Sequence, residues 1–179
     1  MAVTAANSDD GLPTSWSGTV DKLAFGDGDN TRLMVLSAGN IRYEDINIPI
    51  WDNYPSGSSL RPVQDPAQSW NALTIGAYTE LVAVGEHLEF DRVASLGELS
   101  PFSTTSVSWK SNTPIKPEVV LEGGNLYRTH RADVPYTPSE ELERLTTSAQ
   151  FQIRGYFDTF SATILATALA SSKISMLLQ

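Results

Sequence analysis

Arg32-Leu-Met-Val-Leu-Ser-Ala-Gly-Asn40 is a short apolar run that ends in a tight turn, and its reading decides the fold. Consecutive nonpolar residues bounded by turn-formers mark a strand buried on both faces, and such strands belong to parallel sheets covered by helices. Ala72-Leu-Thr-Ile-Gly-Ala-Tyr78 is a second run of small and β-branched residues, and Pro117-Glu-Val-Val-Leu121, closed by Gly123-Gly124, is a third. A helix is expected from Pro13-Thr-Ser-Trp16 onward. Trp16, Val20, Leu23 and Ala24 recur at helical spacing with Asp21 and Lys22 outward, and Gly26-Asp-Gly-Asp-Asn30 stops it. The other long helix is 162–178, where Ile164, Leu165, Ala168, Leu169, Ser172, Met176 and Leu177 are mostly i, i+4 spaced with small residues between them. Buried strands and flanking helices of this kind argue for an α/β layer fold with a mainly parallel sheet.

Between these elements the chain is rich in turn-formers. Residues 41–69 carry Pro, Asn, Ser and Asp and read as irregular surface, with one helical turn beginning at Asp65-Pro66-Ala67-Gln68-Ser69-Trp70. Glu80, Glu86, Glu89, Asp91 and Arg92 form a charged bridge. A short helix is expected at 139–147 within the polar stretch 125–150. Residues 1–12, small and polar with Asp9-Asp10, read as a loose end, and 13–179 as the domain. The last helix runs to Gln179 without a stop signal and only one helix precedes the first strand, so the domain is expected to be part of a larger one.

The 179 residues are 41% hydrophobic and 18% charged, enough to bury roughly 70% of the unfolded surface without a disulfide or a metal. There is no cysteine, which removes disulfides, thiolate zinc sites and cysteine nucleophiles. Against 12 basic residues stand 21 acidic ones, a net charge of −9 that opposes phosphate backbones and anionic lipid, so neither nucleic acid nor membrane is an expected partner. Gly155 to Gln179 holds only Asp158 and Lys173, but its Ser and Thr content fits burial in protein better than a bilayer. The opening residues show neither a basic region nor an apolar one of the secretory kind, which leaves the cytoplasm as the default location.

Four patterns in this order resemble the C-terminal part of a subtilisin-like serine peptidase, a member of the subtilase family. Ser37-Ala38-Gly39-Asn40 after its strand is similar to that family's oxyanion-hole turn. Tyr54-Pro55 and then Thr74-Ile75-Gly76-Ala77 resemble the stretch downstream. Phe102-Ser103 and Lys116-Pro-Glu-Val-Val-Leu-Glu-Gly-Gly124 resemble the next loop and strand, where Ala-Pro-Gly is the commoner ending. Ser161-Ala-Thr-Ile-Leu-Ala-Thr-Ala168 lies where the family carries Ser-Gly-Thr-Ser-x-Ala and the nucleophile's helix. The resemblance implies a partial three-layer α/β fold with a mainly parallel sheet and helices on both faces, an extended polypeptide as substrate or ligand, no cofactor, and Asn40 as oxyanion donor. Carboxamide and helix N-terminal N–H groups aimed at a developing anion suit acyl transfer.

Two departures set an expectation of inactivity. Aligned without a gap, the nucleophile's position is Ile164, which has no oxygen, and the glycine two places before it is Ala162. A shifted register nominates Ser161 or Thr163 instead; the plain reading of Ser161 is a helix N-cap. The family's Asp and His both precede the oxyanion turn, and no histidine precedes His87. His87 and His130 sit in polar surroundings and read as surface residues. A separate upstream peptidase segment is therefore the partner that would complete a catalytic site. A module that binds peptide without cleaving it is the alternative. Asp27-Gly28-Asp29-Asn30 lacks the later ligands of a calcium loop and reads as a helix-ending turn, so no metal is expected. Glu140, Glu141 and Glu143 read as a solvated face, and Trp16, Trp51, Trp70 and Trp109 as packing.

Overall fold

Helix α1 (Ser15–Phe25) begins where the Thr14 hydroxyl accepts the Ser17 N–H and the Ser17 hydroxyl accepts the Thr14 N–H, a reciprocal cap. It stops at Gly26, whose left-handed backbone (φ 60°) closes the last turn onto Lys22 O. The computed structural model describes the chain apart from residues 2, 7–9, 43–48, 84, 86–89, 111, 132–133 and 179, and of residues 27 and 49 only the backbone. After α1 come β1 (Val35–Ser37), α2 (Pro49–Asp52), α3 (Ser56–Ser59), β2 (Leu73–Tyr78), β3 (Phe90–Arg92) and β4 (Val119–Glu122). β5 (Tyr127–Thr129), β6 (Tyr136–Thr137), β7 (Arg144–Thr147), α4 (Phe151–Arg154), β8 (Phe157–Phe160) and α5 (Ala162–Leu177) complete the order.

The three strands read as buried form one parallel sheet in the order β1-β2-β4, with Val35 opposite Leu73 and Ile75 opposite Val119. Successive side chains leave a strand on opposite faces, and the core divides accordingly. Ile75 and Ala77, with Val35, Leu73 and Leu121, pack on Ala166 and Ala170 of α5. Leu36 turns the other way, into a cluster with Val20 of α1, Ala38, Val63, Ala67 and Ala72, flanked by Trp16, Met34 and Trp109. The result is the expected α/β arrangement, a helix on each face of a parallel sheet.

An ion pair pins the sheet's edge. Lys116 is fully buried; its ammonium donates to Ala72 O at 2.9 Å and pairs with Glu118, whose other oxygen accepts the Thr74 N–H at 2.8 Å. The start of β4 is thereby fastened to β2 and the loop before it.

Several local readings need correction. Residues 139–147 are not a helix: a single 3-10 turn, Glu140–Leu142, leads into β7, which pairs antiparallel with β8. The β-branched Thr146 and Thr147 find cross-strand partners in Asp158 and Phe157, an arrangement no local helical spacing can compete with. Asp65–Trp70 forms a turn rather than a helical one, held by Ser69 N–H to Pro66 O. The stretch 41–69 is not all surface, since α2 and α3 lie in it and Trp51 and Val63 are buried. Trp51 centres a second core with Ile41, Ile50, Leu126 and Tyr136 against the antiparallel sheet β3-β5-β6, which local patterning did not reveal. Burial there pushes the Tyr136 phenol up to about 12, its hydrogen bond to Asp52 adding to the effect. The tail is buried on one face only: Met176, Leu177 and Leu178 stand exposed. The opening residues are tied down in two places, by Ser37 N–H to Met1 O at 3.1 Å and by the reciprocal bonds of Ala5 and Asp65. No helix among the described residues is long and apolar enough to cross a membrane.

Candidate active site

The turn after β1 is held from three sides. Ala38 N–H donates to Ile75 O of β2, while Ala38 O accepts the Gln64 N–H and the Thr104 hydroxyl, each at 2.8 Å. Gly39 follows with φ +105°, a conformation that L side chains rarely adopt, and a Cβ there would run into the Gln64 side chain. Gln64 Nε2 then donates to Asn40 O at 3.1 Å, and Asn40 bridges to Ser103. The backbone of Asn40 is fixed before its side chain makes any contact.

Its carboxamide meets the first turn of α5. Asn40 Oδ1 accepts the Thr163 N–H at 2.9 Å and also the Thr163 hydroxyl. A backbone N–H can only donate, so the carboxamide must turn its oxygen toward the helix and its Nδ2 away. Nδ2 has no partner among the described residues. Thr163 is buried, and its hydroxyl also lies 3.0 Å from Gly39 O and 2.7 Å from the Ser37 hydroxyl. A single hydroxyl thus joins strand, turn and helix.

Of the orphan N–H groups that open α5, Ala162 donates to Gly123 O at 2.6 Å and Thr163 to Asn40, while Ile164 N–H has no partner among the described residues. Asn40 Nδ2 and Ile164 N–H are thus two donors left unengaged among the described residues near the start of α5. The Ile164 side chain is half-buried hydrocarbon. Ser161 occupies the N-cap position of α5 but does not cap; its hydroxyl donates to Glu143 Oε1 at 3.0 Å, and Glu143 Oε2 accepts the Thr159 hydroxyl at 2.6 Å. No imidazole among the described residues is involved. His130 is exposed in the turn after β5, and His87 lies outside the described residues. Nor do the described residues gather three or more His, Asp or Glu side chains fit to hold a metal; the 26–30 run ends α1 through a 3-10 turn, Gly26–Gly28.

Ala162 is the one described residue other than glycine with a positive φ, 75°. Left-handed backbone costs an L-residue about 1–2 kcal/mol. Ala162→Gly is therefore expected to raise stability by about 1 kcal/mol, or about 2–4 °C in Tm, measured by thermal unfolding. An unchanged or lower Tm would show that the alanine methyl contributes packing that outweighs its strain.

The sequence singled out Asn40, Ile164 and Ser161, and the structure places all three at the mouth of α5. Local reading missed the joining role of Thr163 and Ser37, and the carboxylate of Glu143 facing Ser161. For Ser37 and Thr163 a signal exists, since both are hydroxyls inside runs where apolar residues prevail; for Glu143 there is none, because its partners lie 16 and 18 residues away. A family model described as the subtilase family matches residues 1–179. No curated protein matches the chain.

Proposed function

The chain belongs to the subtilase family, and from that premise we propose that it is a serine-peptidase-like domain that keeps the oxyanion side of the site but does not itself cleave peptide bonds. The observation that carries this reading is the Thr163 N–H to Asn40 Oδ1 bond, which fixes the register of α5 against the turn. In that register the residue after Thr163 stands where the family resemblance puts the attacking hydroxyl, and it is isoleucine. Ser161, the other candidate, donates its hydrogen bond to the Glu143 carboxylate. With isoleucine at the nucleophile's position and no imidazole at the site among the described residues, donors aimed at an oxyanion have no acyl transfer to assist.

Incubation with a fluorophosphonate probe tests this. No covalent labelling is expected, and mass-spectrometric localisation of label at Ser161 would falsify the proposal.

A second reading, peptide binding without turnover, is favoured by one specific observation. Asn40 Nδ2 and Ile164 N–H are both without acceptors among the described residues, at the end of a helix whose dipole favours negative charge. A peptide carbonyl or carboxylate is the kind of acceptor such donors take. An extended polypeptide is the ligand class, and a separate upstream peptidase segment bringing Asp and His is a further partner under this proposal. Calorimetry against extended peptides is expected to show binding that Asn40→Ala reduces by about tenfold, the loss of one to two hydrogen bonds. Affinity unchanged in Asn40→Ala would remove the carboxamide from the site.

A further inference from the structure

Glu143 occupies a distinctive place beside this site. Leu142, immediately before it, is fully buried and its carbonyl accepts the Asn125 N–H, so the chain is anchored there. Glu143 follows in extended conformation (φ −126°, ψ 162°) and turns its carboxylate to the entrance of α5, where it meets Ser161 and Thr159. Both partners are neutral hydroxyls. No lysine or arginine among the described residues lies within ion-pair distance of Glu143; the ion pairs found there join Lys110 to Asp10 and Lys116 to Glu118. Arg144 is the nearest cation along the chain, but in extended backbone it leaves on the opposite side, and its charge acts on the Tyr78 phenol instead.

A half-buried carboxylate held in place by two neutral donors has lone pairs to spare and no counter-charge. Ser161, which it touches, stands two residues before Thr163, whose N–H rests on Asn40. Two residues of chain, whatever their conformation, span at most about 7 Å. A peptide whose carbonyl is held by Asn40 Nδ2 and Ile164 N–H thus brings the side chain of an adjacent residue past Glu143. We propose that Glu143 makes the site selective for a polypeptide carrying lysine or arginine next to the held carbonyl. The inference rests on the carbonyl-binding reading above and adds the ligand's charge to it.

The test uses the full chain and two amidated peptide pools, identical except that central positions carry lysine in one and norleucine in the other, with affinities measured by fluorescence anisotropy. The lysine pool is expected to bind about fivefold more tightly, the scale of a partly exposed ion pair, with the preference shrinking at high salt. Glu143→Gln, checked for an unaltered thermal transition, is expected to abolish the preference while leaving norleucine affinity unchanged. Glu143→Lys is expected to reverse it in favour of a glutamate pool. Equal binding of the two pools by the unsubstituted chain, or a lysine preference that survives Glu143→Gln, overturns the assignment to Glu143 and leaves carbonyl binding standing. Failure of every pool to bind overturns the carbonyl-binding reading and this inference with it.

Discussion

Lys116→Ala is expected to lower the unfolding free energy by about 3–5 kcal/mol, enough to consume much of a typical domain's stability. The loss has three sources. Glu118 keeps its hydrogen bond to the Thr74 N–H but loses its cation, the Ala72 carbonyl loses the ammonium that donates to it, and the vacated aliphatic stem leaves a cavity beside β4. Lys116→Met separates these contributions: it refills the space of the stem without the charge, and is expected to cost about half as much. Denaturant unfolding of both variants measures the difference. If Lys116→Ala costs less than about 1 kcal/mol, the scale of a surface pair, the ammonium does not fasten β4 to β2.

The second large effect is expected at Thr163. Valine matches threonine in shape, so Thr163→Val removes little but the hydroxyl; yet that hydroxyl serves the Ser37 side chain, the Gly39 carbonyl and Asn40 Oδ1, all in a buried setting. Unsatisfied groups of this kind cost about 1–3 kcal/mol each, partly relieved by relaxation, and a loss of about 2–3 kcal/mol is expected. It is read as a lower denaturation midpoint at constant m-value. Thr163→Ser keeps the hydroxyl and gives up one methyl, about 0.8 kcal/mol. If the serine variant loses as much as the valine one, the methyl rather than the hydrogen bonds is responsible. The valine variant is also expected to bind peptide more weakly, because the Asn40 carboxamide is then held by the Thr163 N–H alone and its Nδ2 is less firmly aimed.

Those elements whose information is local could be read from the sequence. The start at Pro13-Thr-Ser-Trp16 and the stop at Gly26 delimit α1, and the apolar runs ending at Ser37, Tyr78 and near Leu121 mark β1, β2 and β4 to within about two residues, the usual uncertainty of element ends. α5 begins at Ala162, where its pattern of small and aliphatic residues begins. What failed was non-local. β7 cannot be told from a short helix without β8, which lies beyond α4; Leu142 and Leu145 are spaced as on one helical face, yet the first is buried and the second exposed. α2 and α3, four residues each, are too short to nucleate alone and exist because Trp51 and its neighbours pack. Lysine is rarely fully buried unless paired, and nothing in the run around Lys116 announces its burial. The meeting of Asn40 with Thr163 spans 123 residues of chain, so it was legible only through the order of motifs shared with a family, not from either segment by itself.

One helix does two jobs here. α5 lays Ala166 and Ala170 on the sheet while its opening turn presents Ile164 N–H and orients Asn40. A bulkier residue at either alanine therefore acts at a distance: by lifting the rod from the layer beneath, it also swings the end that carries the proposed carbonyl site out of line. Occupancy of that end and cohesion of the layers should rise and fall as one quantity, so that a bound ligand protects the sheet's slowest-exchanging amides as well as its own surroundings.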